Sequence, residues 1–127
     1  MSYYFSKTLD ISFEGAIGRV TEELKKEGFG VLTQIDVKET LKRKLDVDFK
    51  KYRILGACNP HFAFQALQKE DKIGVMLPCN VILQEVDNKI EVAAVDPIAS
   101  MQGVENTELG EIAQQVQAKL KRVIENL

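Results

Sequence analysis

The sequence predicts an α+β fold, a mainly antiparallel sheet of about five to six strands with long helices packed on one face. Three observations predict it. Strand-like and helix-like segments mix without the regular alternation of a parallel α/β fold. Residues 81–86 and 90–95 flank Asp87-Asn88-Lys89, the clearest hairpin signal in the chain. Leu109, Ile112, Ala113, Val116, Leu120, Val123, Ile124 and Leu127 hold one apolar stripe at helical spacing.

Each element has its own local cause. Residues 3–8 are aromatic-rich and loosely alternating, as in a first strand. Ser12 stands where an N-cap belongs, and Phe13, Ala16, Ile17, Val20 and Leu24 follow at helical spacing, so 13–27 reads as an amphipathic helix. Lys25 and Lys26 complement its dipole, and Gly28 supplies a left-handed stop. Residues 29–37 read as a strand with Val31, Thr33, Ile35 and Val37 on one face. Residues 38–46 form a short charged helix held by Leu41 and Leu45, with Lys42, Arg43 and Lys44 as a solvated face.

A strand over 52–58 follows. Asn59 as cap and Pro60 at the first helical position open a helix over 60–69, with Ala63, Ala66 and Leu67 inward. Residues 73–77 read as a short apolar strand ended by Pro78, and the hairpin comes next. Asp96-Pro97 breaks the last strand and opens a single helical turn, closed by Gly103. Asn106 or Thr107 caps the final helix.

A chain of 127 residues reads as one domain over 1–127, large enough to fold without staples. Hydrophobic residues at 45% and charged residues at 28% exclude a disordered or disulfide-dense chain. Seventeen basic against nineteen acidic residues leave a net charge of −2, which argues against nucleic acid or an anionic membrane as partner. The first residues lack the pattern of a signal peptide, and no apolar run approaches a membrane span. The expected location is the cytoplasm, where two cysteines stay reduced.

The motifs that carry chemistry are few. There is one histidine and no tryptophan, and no phosphate loop, dinucleotide fingerprint or nucleophile elbow is present. Gly28-Phe29-Gly30 leads into a strand, so it is no phosphate cradle. Carboxylates such as Glu85, Glu91 and Asp96 have no diagnostic acid–base spacing. Two segments stand out, Gly56-Ala57-Cys58-Asn59-Pro60-His61 and Leu77-Pro78-Cys79-Asn80-Val81. Each puts a Cys-Asn step at a strand boundary beside a proline. One helix and one short strand between them would return both to the same sheet edge, so that Cys58 and Cys79 face each other. Cys58 precedes a helix N-terminus, whose amides and dipole favour thiolate. Asn59 and Asn80 would orient a ligand by amide hydrogen bonds. His61 completes a Cys-x-x-His spacing, so Cys58, Cys79 and His61 would supply three ligands to a transition metal such as zinc. The bland reading has both cysteines as small buried hydrophobes.

These motifs, together with Ala63, Val95-Asp96-Pro97, Phe29-Gly30-Val31-Leu32 and Ile35-Asp36-Val37, resemble the bacterial and archaeal family called domain of unknown function 302. The resemblance covers nearly the whole chain. It implies a single α+β domain of the TATA-binding-protein-like type, often a homodimer, with no established activity. That fold likeness to a DNA-binding saddle carries no functional weight. The family pattern carries over to Cys58, Asn59, Pro60, Cys79, Asn80, Asp96 and Pro97, whereas His61 falls on a variable position. The expectation is a small cytoplasmic homodimer that binds a small ligand, or senses redox state, through a perturbed thiol at Cys58/Cys79. Its alternatives are a metal-binding module and a protein-interaction domain with purely structural cysteines. Whether any reaction is catalysed is left open by the sequence.

Overall fold

A five-stranded sheet organises the chain, which the computed structural model describes over residues 2–127. Its strands are β1 (Tyr4–Leu9), β2 (Gly30–Asp36), β3 (Tyr52–Cys58), β4 (Cys79–Val86) and β5 (Lys89–Val95). They lie in the order β1-β5-β4-β3-β2, and every neighbouring pair is antiparallel. Alternation decides which face is covered. Ile90, Val92 and Ala94 of β5, and Val81 and Leu83 of β4, are buried, while the residues between them are more exposed.

Helices α1 (Phe13–Lys26) and α5 (Gly110–Glu125) cover that face. α1 packs on β2 and β4, α5 on β1 and β5, and the two touch each other. Their inner stripes are those of the sequence: Ala16, Val20 and Leu24 on α1, Val116, Leu120 and Val123 on α5, all buried. Ser12 Oγ accepts from the Gly15 amide at 3.0 Å and caps α1. Gly28 ends it at φ +86, a conformation other residues rarely adopt. The hairpin turn has Asp87 at φ 51 and Asn88 at φ 64, the two-residue type I′ geometry, and Lys89 already pairs with Val86 in β5.

Several local expectations fail. Residues 73–77 are not a strand. They lie in a 3-10 segment, Asp71–Met76, with Ile73 buried and Val75 84% exposed. A short apolar run has no fixed period, and this one closes into a tight turn packed against the helix Pro60–Lys69. The short helix α2 (Val37–Leu45) buries no residue, and Leu45 is exposed instead of holding it. Asp36 caps it, accepting from the Glu39 amide at 3.0 Å, which makes Val37 its first residue and not the end of β2. A β-bulge at Leu32 breaks the alternation of β2: Val31 pairs with Ala57, yet Thr33 pairs with Gly56. Val31 and Thr33 therefore fall on opposite faces. The turn after β5, α4 (Pro97–Ser100), ends at Met101 and not at Gly103.

Candidate functional site

The chemistry-bearing motifs meet at one end of the sheet. β3 ends on Cys58 and β4 begins on Cys79, and the register places Cys79 opposite Ala57. The two cysteines are thus one position out of register on neighbouring strands, both half-buried and both free thiols. Helix α3 (Pro60–Lys69) leaves directly from Cys58, with Pro60 at its first position.

Asn59 does not cap α3. Its side chain makes no capping bond there; Nδ2 donates across to the Glu27 carbonyl oxygen at 3.3 Å. It is buried, and it lies against Gly28, where an added Cβ would stand 3.1 Å from Nδ2. Glu27 is a junction: its carboxylate also accepts from Arg122 of α5 at 3.0 Å. One residue thereby joins the end of α1 to the start of α3 and to α5.

Between α3, α4, α5 and the strand ends lies a cavity of about 350 Å³, the size of small ligand pockets. Cys58, Asn59 and Cys79 are on its wall. Apart from Thr33 the rest is apolar, notably Leu32, Phe62, Leu77, Met101 and Val116. No lining residue carries a charge. α4 is fixed over it by Asp96, whose carboxylate accepts from the Ile98 amide at 3.0 Å and from Gln117 Nε2 of α5 at 3.1 Å. Burial, and after it the charge of Cys58, pushes the Cys79 thiol up to about 11. Cys79 is therefore a protonated thiol at neutral pH.

Asn80 and His61 do not join this group. Asn80 is exposed and pairs with Gly56, on the sheet face away from the helices. His61 is exposed on α3 and outside the cavity wall. Among the described residues no cluster of three or more His, Cys, Asp or Glu is placed to hold a metal ion. The donor set therefore does not fit a zinc site, which needs at least three protein ligands.

Sequence reasoning missed the apolar walls. Small side chains make the space: Ala63 and Ala66 on α3, and Ala113 on α5. Their inward positions were legible, but two helices had to be docked before three missing side chains became one void.

The family model described as "Domain of unknown function DUF302" matches residues 5–127. The chain belongs to the DUF302 family. It is similar to the crystal structure of an uncharacterized conserved protein DUF302 from Bacillus stearothermophilus, at 28% identity, over 98% of each chain, with a TM-score of 0.91. No curated protein matches it. The DUF302 fold here has no helix, among the described residues, long and apolar enough to cross a membrane.

Proposed function

We propose that this DUF302 domain binds a small molecule in the cavity at the Cys58/Cys79 strand ends. The observation that carries the reading is the cavity itself: three helices and the strand ends leave a space of ligand size, with both cysteine sulfurs on its wall. Its walls sit on an ordered frame, since Asn59 and Asp96 fix α3 and α4 by hydrogen bonds. The test is amide NMR of the protein with a collection of small organic molecules, run beside an Ala63→Trp variant. Ala63 is half-buried on the wall, so tryptophan there fills the space. Binding is expected to move amides of β3, α3 and α5, and to vanish in the variant. Binders that shift only other surfaces, or that ignore Ala63→Trp, would reject the site.

Thiol sensing is a second reading of the same wall. Both sulfurs line it, and a protonated Cys79 leaves reactivity to Cys58. Mass-resolved labelling with iodoacetamide at neutral pH should modify Cys58 first. Equal labelling of the two, or none without denaturant, counts against this reading.

A second copy of the chain belongs to the proposal as well, seated on the sheet face away from the helices. Ile35, Ile54, Ile82 and Ala93 run in register across four neighbouring strands there. The row itself carries no charge, and Glu91, on the same face of β5, already accepts a hydrogen bond from Gln84 Nε2 at 2.8 Å. Sedimentation equilibrium should find a dimer that Ile54→Lys dissociates. A wild-type monomer at all concentrations removes this part.

A further inference from the structure

We infer that the cavity selects an uncharged, hydrocarbon-rich ligand, admitted over an apolar lip formed by Leu32 and Leu67. The inference rests on the small-molecule reading above and names the ligand class. Charge comes first. None of the residues on the wall is Lys, Arg, His, Asp or Glu. A carboxylate or ammonium group placed inside would lose its water and gain no counter-charge, the most expensive form of burial. Hydrogen bonding narrows the class further. The polar side chains on the wall are Thr33, Asn59 and the two thiols. The Asn59 amide already donates to the Glu27 carbonyl oxygen. A thiol is a weak donor, and Cys79 keeps its proton at neutral pH. The site thus supplies dispersion and apolar contact over most of a ligand and a few weak polar contacts beside the sulfurs.

The lip begins on β2. The bulge adds one residue to an otherwise regular strand, and that residue is Leu32. Leu32 lines the cavity and is yet 68% exposed. Leu67 of α3 also lines it and is 42% exposed. An apolar side chain held half in water at a cavity mouth gains burial, and so contributes to binding, once an apolar ligand covers it.

A matched pair of fluorescent probes tests this: neutral phenylnaphthylamine and its sulfonated analogue, anilinonaphthalene sulfonate. They share one aromatic skeleton and differ by a charge. Each is titrated into the wild-type chain, Leu32→Asp and Ala63→Trp. The neutral probe is expected to bind at least tenfold tighter than the sulfonate. Leu32→Asp, at an exposed position and with its fold checked by circular dichroism, should weaken the neutral probe several-fold. Ala63→Trp should abolish binding. Equal affinity, or tighter sulfonate binding, overturns the ligand class while leaving the cavity a binding site. Unchanged affinity in Leu32→Asp overturns the lip. Binding of neither probe, or binding that survives Ala63→Trp, overturns the small-molecule reading with everything built on it.

Discussion

Gly56→Ala probes the packing that brings the two cysteine motifs together. Gly56 lies two residues before Cys58 on β3, opposite Thr33 of β2 and Asn80 of β4. A Cβ there would overlap Thr33 Oγ1 and stand 2.8 Å from Cγ of Pro78. Both contacts are closer than real Cβ atoms tolerate, and neither neighbour is the free end of a long side chain. Overpacking of this kind costs about 1–3 kcal/mol. Alanine recovers about 0.5–1 kcal/mol over glycine in a strand. With two contacts this close the overpacking cost falls in the upper half of that range, so the expected net loss is about 1–2.5 kcal/mol, a fall of roughly half a molar to just over one molar in the urea midpoint. Thr33→Ala removes the hydroxyl but leaves the proline, so the double variant should recover about half of the loss, read as a coupling energy. Equilibrium urea unfolding followed by circular dichroism measures all four proteins. A Gly56→Ala variant as stable as wild type, or a double variant whose losses simply add, would refute the reasoning.

Three more outcomes follow from other contacts. Asn59→Ala should cost about 1–2 kcal/mol in thermal unfolding by removing the donor to the Glu27 carbonyl oxygen; a capping role would instead be rescued by Asn59→Ser. Folding raises the Cys79 pKa from 9.0 to about 11, so its contribution to stability is full below pH 9 and is lost as pH rises to about 11. Wild type should therefore lose roughly 2 kcal/mol more than Cys79→Ala across that window, by urea unfolding at each pH. Leu83→Ala, at a fully buried position of β4, should cost about 2–5 kcal/mol, and a loss under about 1 kcal/mol would mean that α1 does not press on β4 as described.

Periodicity carried most of the fold in the sequence. The stripes of α1 and α5 and the alternation of β4 and β5 are local patterns with one global solution, so the sheet and its covered face were legible before any contact was known. Residues 73–77 were misread because a short apolar run looks the same in a strand and in a tight turn, and only its packing on α3 decides. The bulge at Leu32 was invisible for a related reason: register belongs to the pair of strands and not to either alone. At the site, Cys58, Asn59 and Cys79 do converge, because strand ends and a helix start are sequence features. Asn80 and His61 stay outside. The pleat turns one away, and the exposed side of α3 carries the other.

β2 is also a border of the sheet, with β3 on one side and, among the described residues, no strand on the other. A regular border strand presents an unbroken row of peptide donors and acceptors, an invitation to stack chain upon chain. The additional residue at Leu32 interrupts that row. The bulge that places a leucine at the cavity mouth thus also breaks a template for ribbon growth, and deleting Leu32 is expected to restore that template.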